Sequence, residues 1–385
     1  MRLLPWSYGV RNLARAPVRS ALSVGGSALV VLLVLAAASS VRGLSTSVEL
    51  SGDPDNVLLL GAGSETSLER SEIEPGVAGI AEASIDGVRE RLGTPYVSPE
   101  IHLASHVHLA GSEEGRMAIL RGITPRAYLV HRSFRLVEGR PPRSGEAIAG
   151  RLAATRMGLA EEDLGTGRTI RLDRTTWTIA GRFEAPRSVL EAEIWVPLAD
   201  LRAAAQRDQL STVVVGLGDA DFADVDLFTK ERLDLGLVPM REVDYYRDLA
   251  AFYRPVRQMI WLTAILVSAG GLFGGLNTMY AAFASRVREL ATLRAIGFGR
   301  VAIALSLVQE SVLASAAGGI LASGLGVLVL DGRAVRFSMG AFRLVVDGPV
   351  LLVGLAVALG LGLVGALPPA WRALRLPLPI ALKTT

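Results

Sequence analysis

Three histidines separated by even numbers of positions are the best candidates for a metal site in this sequence. His102, His106 and His108 would share one face of an extended strand, because successive side chains of a strand point to opposite faces. Neutral imidazole nitrogens bind zinc and similar ions. However, no acidic residue or cysteine lies within the same stretch to complete a ligand set. The pattern therefore favours a solvated polar face, and we predict no metal site.

The motifs that hold nucleotides or build common catalytic centres are missing. A P-loop needs glycine, lysine and then serine or threonine, but the two lysines, Lys230 and Lys383, follow other residues. The chain has no cysteine, no Gly-x-Ser-x-Gly and no His-Glu-x-x-His. The string Gly360-Leu-Gly362-Leu-Val-Gly365 matches a dinucleotide fingerprint, yet it lies inside apolar sequence, where close helix packing explains it better. We predict a non-catalytic chain without a cofactor of its own.

Two features inside the apolar sequence indicate other roles. Glu310 has apolar residues on both sides, and a carboxylate inside a membrane is costly enough to indicate a purpose. We predict that it pairs with an arginine of residues 286–300. Four glycines form two overlapping small-xxx-small pairs, which let helix backbones approach closely. They are a candidate dimer seam, with packing inside one subunit as an equal alternative: Gly270, Gly271, Gly274 and Gly275.

The segment Ser285–Arg300 has the pattern of a short amphipathic helix. Leu290, Leu293 and Gly297 recur at helical spacing, whereas Arg288 and Thr292 lie off that stripe. Such a helix rests on a membrane surface or docks into a groove of a cytoplasmic partner. The residues alone do not choose between the two.

The elements that position these residues are set by four apolar blocks. Half of the residues are hydrophobic, and they are concentrated in Ala21–Val41, Met259–Ser285, Ser311–Leu330 and Gly348–Trp371. Each block is long enough for a membrane-spanning helix, which needs about 20 residues. The net charge is only +3, and the arginines flank the blocks instead of forming a basic face. We therefore predict a membrane protein that does not bind nucleic acid.

Arginine placement orients the chain by the positive-inside rule. Arginines and almost no acids occupy the segments before the first block, between the second and third, and after the fourth, which places both termini in the cytoplasm. Residues 42–258 and 331–347 then lie outside, although Arg333, Arg336 and Arg343 weaken the pattern in the second segment. A cleaved signal peptide over residues 1–40 is the alternative for the first block, but its apolar core exceeds the usual 7–15 residues.

The large outer segment has the pattern of a mixed α/β domain inserted between the first and second helices. The predicted strands are Ile101–Leu109, Arg168–Leu172, Trp177–Phe183, Glu193–Pro197 and Thr212–Leu217, and the predicted helices are Ser71–Leu92, Glu146–Met157 and Leu198–Arg207. Tyr245, Leu249, Phe252, Val256 and Met259 recur on one helical face. This favours a stalk that continues into the second membrane helix with a kink at Pro255, over a loop followed by an ordinary span.

The expected order of the chain follows from these blocks. It is a cytoplasmic segment 1–20, a first membrane helix 21–43, an extracytoplasmic domain 44–242, a stalk and second helix 243–285, a cytoplasmic helix 286–300, a third helix 301–330, a short outer loop 331–347, a fourth helix 348–371 and a tail 372–385.

Residues 285–300 resemble the coupling region of FtsX-like permeases of ABC transporters, the family of the macrolide-exporter, lipoprotein-releasing and cell-division types. The residues that match in register are Arg286, Arg288, Glu289, Leu293, Arg294, Ala295, Ile296 and Gly297, while Phe298 replaces the commoner alanine. Glu310 fits a family position early in the third span. Both ends of the chain are similar to the family's as well, through Tyr8, Arg11-Asn12-Leu13, Arg15, Pro17, Arg19 and Ser20, and through Leu367, Pro369-Ala370, Arg372-Ala373 and Pro379-Ile380.

The outer segment resembles the MacB-like periplasmic core domain of that family. The similar stretches are Glu138-Gly139-Arg140-Pro141, Gly145-Glu146-Ala147, Trp177–Gly181 and Ile194–Pro197. The resemblance implies a permease subunit of a type VII-like ABC transporter in the bacterial inner membrane, paired with a second copy or paralogue and with two ATPase subunits that hold the ATP and Mg²⁺. Membrane lipids and a periplasmic adaptor or lipoprotein are further implied partners.

The same resemblance implies that Arg286, Arg288, Glu289, Leu290, Leu293, Arg294 and Gly297 couple the chain to its ATPase, with Glu310 in support. Motion passes outward to drive export, lipoprotein extraction or mechanotransmission. Because about 20 residues precede the first span, we expect the ATPase on another chain. The alternatives are a membrane-anchored binding or sensor protein without an ATPase, and an ion-coupled transporter, which the shortage of intramembrane polar residues opposes.

Overall fold

A computed structural model describes residues 6–337 and 340–375. Pro379, Ile380 and Lys383, named in the sequence analysis, lie outside these residues. The chain forms two compact units. The helical unit comprises Met1–Arg42, Pro255–Arg333 and Leu344–Thr385, and the α/β unit comprises Gly43–Arg254 and Ala334–Arg343.

The helices are, in chain order, α1 (Trp6–Arg15), α2 (Pro17–Glu49), α3 (Val77–Ser84), α4 (Ala127–Val130), α5 (Ala153–Met157), α6 (Leu198–Ala205), α7 (Phe222–Glu231), α8 (Glu242–Phe252), α9 (Arg254–Ala284), α10 (Val287–Ala295), α11 (Arg300–Val329) and α12 (Gly348–Arg375). Four of them, α2, α9, α11 and α12, are long and apolar enough to cross a membrane. The four predicted membrane helices are thus confirmed, and the chain is a membrane protein.

Close contacts through glycine hold the helical unit together. A Cβ on Gly318 of α11 would lie 2.1 Å from Ser27 Oγ and 2.6 Å from the Val24 carbonyl oxygen of α2. A Cβ on Gly362 of α12 would lie 2.8 Å from the Val312 Cα of α11. Backbones this close exclude any larger residue. The packing interpretation of the Gly360–Gly365 string is confirmed at Gly362.

The passage from α8 to α9 is interrupted at a single residue. Tyr253 is the only residue between the two helices, and Pro255 occupies the second position of α9. Proline is tolerated in the first turn of a helix, because the backbone N–H groups there have no intrahelical partner. A helix therefore begins near the first residue predicted for the stalk, and the break lies two residues before the proline, while the stalk itself stays a prediction.

The α/β unit is organised by a sheet of mixed direction. Its strands are β1 (Asn56–Gly61), β2 (Glu90–Arg91), β3 (Thr94–Pro95), β4 (Val97–Leu109), β5 (Gly115–Ile123), β6 (Arg135–Gly139), β7 (Glu146–Gly150), β8 (Thr169–Leu172), β9 (Thr175–Glu184), β10 (Ile194–Pro197), β11 (Thr212–Gly216), β12 (Leu237–Arg241), β13 (Ala334–Phe337) and β14 (Gly340–Arg343). The order is β12-β1-β11-β4-β5-β10-β7-β9-β6, while β2–β3 and β13–β14 form separate pairs. The mixed α/β class is confirmed.

Six of these strands close into a ring around an apolar core. β8 pairs with both β4 and β9, so that β4, β5, β10, β7, β9 and β8 return to their starting point. Trp177, Ile179 and Ile194 are fully buried within the core cluster. The long strand β4 serves two sheets, since residues 97–100 pair with β11 and residues 101–108 pair with β5. Glu100 lies at this junction.

Two predicted helices are wrong, and tertiary pairing is the reason. Glu146–Met157 divides into β7 and the short helix α5, because Ala147–Ala149 are buried between β9 and β10. Helix propensity is a weak prior that sheet pairing overrides. Ser71–Leu92 is helical only over α3, which ends at Ser84 because Ile85 adopts an extended conformation with φ −100° and ψ 105°.

Candidate functional site

The segment predicted to carry coupling folds as a helix between two sharp turns. α9 ends at Ala284, Arg286 precedes the first turn of α10, and α11 starts at Arg300. Gly297 has a φ of 106°, which glycine adopts without strain, and its N–H donates to the Arg294 carbonyl at 3.1 Å. The segment therefore reverses direction within a few residues and presents α10 as a separate short element.

α10 has one buried and one exposed face. Leu290 and Ala291 are buried, whereas Arg288, Glu289 and Thr292 are exposed. The buried face belongs to a cluster formed by Phe283, Leu290, Ile303 and Leu307, with Tyr8, Val287, Leu293 and Phe298 packed around it. This cluster joins α1, α9, α10 and α11, so α10 rests on the helical unit and leaves a polar face uncovered among the described residues.

Glu310 is the centre of a buried polar contact that we call the Glu310 hub, formed by Glu310, Asn12, Arg19 and Arg286. Asn12 Nδ2 donates to Glu310 Oε2 at 2.8 Å, and Arg19 Nη2 donates to Oε1 at 2.9 Å. Arg286 Nη1 donates to Oε2 at 2.9 Å and to Oε1 at 3.2 Å. The carboxylate of α11 thereby holds α1, α2 and the residue that begins α10. Pairing with an arginine of 286–300 is confirmed for Arg286.

The residues predicted to contact an ATPase fall into two groups in the structure. Arg286 and Leu290 are buried, so they position α10 instead of offering a surface. Arg288 and Glu289 are exposed, Leu293 and Arg294 are half-buried, and Gly297 is exposed at the turn. Ile296, which is 67% exposed, adds an apolar side chain to that surface. Asn12 and Arg19 were known from sequence only as part of a family resemblance, because nothing near them indicates a partner almost 300 residues away.

The four glycines of α9 divide between the two explanations offered for them. A Cβ on Gly271 would lie 2.3 Å from Val30 Cγ2 of α2, so this glycine serves packing within the helical unit. A Cβ on Gly270, Gly274 or Gly275 would meet no atom within 4 Å among the described residues. These three remain candidates for a dimer seam.

The histidines of β4 do not share a solvated face, and that prediction is wrong for His102. His102 is 5% exposed, and its Nε2 lies 3.7 Å from Glu100 Oε2, whereas His106 is exposed. Both faces of the first half of β4 are almost entirely buried, whereas the second half is partly exposed. Within the described residues, no group of three His, Cys, Asp or Glu side chains is placed to hold a metal.

The junction of the two sheets contains a second buried polar contact, the junction cluster of Glu100, Arg121, His131 and Glu193. Arg121 is 2% exposed and donates from Nη1 to Glu100 Oε2 at 2.6 Å. Its Nε and Nη2 make a two-point contact with Glu193 at 2.7 and 2.8 Å. His131 Nε2 lies 2.8 Å from Glu100 Oε1. Two carboxylates against one guanidinium leave a negative charge that a histidine cation can balance.

The surroundings shift the pKa values of the two neighbouring histidines, His131 and His102, in opposite directions. Burial lowers the pKa of His131, but the Glu100 carboxylate raises it by more, and the net shift is upward. Burial lowers the pKa of His102, and the charge of Arg121 lowers it further. The pKa of Glu100 is held well below its usual range, because His131 and Arg121 outweigh the effect of burial. Ser98 Oγ also donates to Glu100 Oε1 at 2.9 Å, but Ser98 and the members of the cluster are all buried, so we assign the cluster to holding the sheets together.

Of the arginines that weakened the charge pattern of the outer loop, Arg336 and Arg343 belong to the α/β unit, whereas Arg333 belongs to the helical unit. β13 and β14 form a hairpin whose Ala341 packs with Leu152 and Ala192. Arg343 Nε lies 3.9 Å from the buried Glu191 carboxylate. This contact accounts for the charge of Arg343, and the outer location of the loop stays a prediction.

Comparisons with known proteins match both units. The model of the MacB-like periplasmic core domain matches residues 20–226, and that of the FtsX-like permease C-terminal region matches residues 261–378. A macrolide export ATP-binding/permease protein MacB of Nitrobacter winogradskyi is 30% identical over 190 residues, which are 46% of this chain and 28% of that protein. The matched part thus spans well under half of that relative's length.

Two solved structures are similar to part of this chain. The periplasmic region of MacB from Actinobacillus actinomycetemcomitans is 10% identical with a TM-score of 0.39, covering 52% of this chain and 94% of that one. The extracellular domain of the noncanonic ABC-type transporter YknZ from Gram-positive bacteria is 18% identical with a TM-score of 0.36, covering 48% of this chain and 99% of that one.

Proposed function

The chain belongs to the family of ABC transporter permeases that combine a MacB-like periplasmic core domain with an FtsX-like permease C-terminal region, and we propose that it is the transmembrane subunit of a type VII-like ABC transporter. In this proposal ATP is hydrolysed on two copies of a separate ATPase chain. A second copy or paralogue of the permease completes the assembly. The α/β unit lies outside the inner membrane, and both termini lie in the cytoplasm.

The observation that carries this proposal is the anchoring of α10. Its buried face packs on α9 and α11, and its first turn is fixed by Arg286 in the Glu310 hub. The face with Arg288, Thr292 and Ile296 is left for a partner. An amphipathic helix laid into a groove is a recurring mode of protein recognition.

The Glu310 hub can transmit motion from α10 to α1 and α2. When an ATPase displaces α10, Arg286 pulls on a carboxylate that also holds Asn12 of α1 and Arg19 of α2. A charge pair removed from water resists separation, because each ion left behind would be buried without a partner. α2 and α9 lead into the α/β unit along the chain, so motion of α10 reaches that unit through covalent continuity. Export, lipoprotein extraction and pure mechanotransmission all use such a motion.

The test is retention of the ATPase by the full chain. A tagged chain is purified from its own cells in mild detergent, and the co-purifying P-loop ATPase and its ATP hydrolysis are measured. Ile296→Asp places a charge at the C-terminal end of the exposed face, just after α10. We expect at least about tenfold less ATPase, the effect of losing one interface hot spot. Leu233→Asp is the matched control, because Leu233 is an aliphatic residue of the α/β unit with 79% exposure.

Two outcomes would count against the proposal. Equal retention by both variants would exclude docking at α10. A wild-type chain that brings down no ATPase at all would favour the alternative of a membrane-anchored binding or sensor protein.

A further inference from the structure

The helical unit contains a cavity that has no role in the proposed coupling to an ATPase. Its volume is about 450 Å³, and α2, α9, α11 and α12 surround it. This volume lies within the range of about 300–1,000 Å³ that is usual for sites of small organic ligands. Gly271, Gly274 and Gly275 form part of the wall on α9, and Arg19 and Glu310 form the charged end.

The walls of the cavity are apolar in effect, although several hydroxyl groups line it. Ser27 Oγ donates to the Val24 carbonyl, Thr278 Oγ1 to the Gly274 carbonyl, and Ser315 Oγ to the Val312 carbonyl. A hydroxyl has one hydrogen to donate, and in these three residues it is used within the residue's own helix. Ser23 and Ser311 also line the cavity without a side-chain hydrogen bond to the described residues, so the wall is mostly but not wholly apolar. The cavity therefore suits an apolar chain better than a sugar, a nucleotide or a free ion.

The charged end of the cavity has a donor to spare. Arg19 bonds Glu310 through Nη2, and this is its only hydrogen bond to the described residues. A guanidinium carries five N–H donors, so Arg19 can hold a second anion. Its side chain is 24% exposed, compared with 6% for Glu310. Arg11 and Arg15 lie exposed on α1 nearby in sequence, and no acidic residue precedes Glu49. Positive charge thus exceeds negative charge at this end.

We propose that the cavity holds one acyl chain of an anionic phospholipid, with the lipid phosphate bound by Arg19. Basic pockets between membrane helices on the cytoplasmic side are suited to anionic headgroups. Lipid is also the abundant apolar molecule at this depth, and each buried methylene group adds to the affinity. The leaflet rests on the orientation proposed above, whereas the binding itself needs only a membrane. Lipid bound here would contact the Glu310 hub and tune the coupling of α10.

Lipid retention by the purified full chain tests this proposal without any ATPase, so its failure is distinct from failure of the proposed function. The chain in dodecyl maltoside is titrated with phosphatidylglycerol or with phosphatidylcholine of the same acyl chains, and bound lipid is counted by native mass spectrometry. We expect about fivefold tighter binding of phosphatidylglycerol, the effect of one arginine near an anionic headgroup. Arg19→Gln should remove that preference.

A filling substitution tests the cavity itself. Gly274→Leu places a side chain in the cavity, and we expect about tenfold less bound phosphatidylglycerol, the effect of excluding about two methylene groups. Gly324→Leu is the matched control, because a Cβ on Gly324 of α11 also meets no described atom within 4 Å and this glycine does not line the cavity. Gly275→Leu repeats the test if Gly274→Leu elutes as aggregate.

Three results would overturn the proposal. The first is equal binding of the two lipids by the wild-type chain. The second is equal retention of phosphatidylglycerol by Gly274→Leu and Gly324→Leu, which would indicate surface lipid only. The third is loss of a dimeric species in Gly274→Leu with lipid retention unchanged, which would assign the cavity to a second copy of the chain.

Discussion

Replacing Glu310 by glutamine tests the Glu310 hub with the smallest change in shape. The substitution leaves the guanidinium groups of Arg19 and Arg286 facing a neutral amide. The side chains of Glu310 and Arg286 are 6% and 9% exposed. Removing one partner of a buried ion pair costs about 3–5 kcal/mol, because the other charge stays buried. Arg19 is partly solvated and regains water, so we expect the lower end, about 3 kcal/mol of unfolding free energy.

A double-mutant cycle distinguishes the loss of the contact between Glu310 and Arg286 from nonspecific destabilisation. Arg286→Gln alone leaves the Glu310 carboxylate with Arg19 and Asn12, and the double variant removes both members of the pair. Contacting charges show interaction energies of about 0.5–3 kcal/mol in such cycles, whereas independent sites add within about 0.5 kcal/mol. We expect an interaction energy above about 1 kcal/mol.

The assay is unfolding of the full chain by sodium dodecyl sulfate in mixed micelles, followed by the loss of helical circular dichroism. Glu289→Gln is the matched control, because Glu289 also contacts Arg286, at 3.4 Å, but its side chain is 61% exposed. An exposed pair contributes about 0–1 kcal/mol. Equal stability of Glu310→Gln and Glu289→Gln, or an additive double-mutant cycle, would refute the claim that the Glu310 hub stabilises the helical unit.

Two further predictions concern the two units separately. The pKa of His131 is raised above its ordinary value of 6.5, since the neighbouring carboxylate outweighs burial. Its contribution to stability is therefore complete below pH 6.5 and is lost as the pH rises through the raised pKa. The assay is denaturant unfolding of the α/β unit in the full chain, followed by tryptophan fluorescence between pH 6 and 9. We expect the stability to decline with pH in the wild type but not in His131→Gln. A parallel decline in both would exclude His131 as its cause. In the helical unit, Gly318→Ala should destabilise the chain by about 1–3 kcal/mol, because overpacked sites relax poorly. Gly324→Ala on the same helix should not, and equal melting temperatures would contradict the close approach of α2 and α11.

The membrane helices could be predicted because hydropathy follows directly from burial in lipid. The apolar block Ala21–Val41 lies within a helix that runs from Pro17 to Glu49. Hydropathy does not predict the polar last turns of this helix, since a helix can continue past its apolar block as long as its backbone hydrogen bonds are formed. The strands Trp177–Phe183 and Thr212–Leu217 were predicted for a similar reason, because alternating or continuous β-branched and aromatic residues mark one or two buried faces.

What the sequence could not provide is the pairing of distant segments. β1, β5, β6 and β12 were not predicted, because their residues become strands only beside partners such as β11 or β9. His102 was assigned to a solvated face for a related reason, since alternation alone does not reveal that both faces of a strand are covered.

The candidate site was predictable in part. An isolated acid in apolar sequence implies a cationic partner nearby, and the closest arginines were those of residues 286–300. The choice of Arg286, and the participation of Asn12 and Arg19, depends on how α1, α2 and α11 pack. Helix packing of this kind is fixed by glycine contacts such as Gly318 against Val24, which spacing does not identify.

The hairpin of β13 and β14 also imposes an order of events on biosynthesis. Ala334 leaves the ribosome about 80 residues after Arg254, the last residue of the main part of the α/β unit. At about 5–20 residues per second, this delay is roughly 4–16 s. During that time the apolar patch of Leu152 and Ala192 has not yet received Ala341. The α/β unit is therefore completed only after the third apolar helix, α11, has been translated, so its folding ends later than the synthesis of its main part.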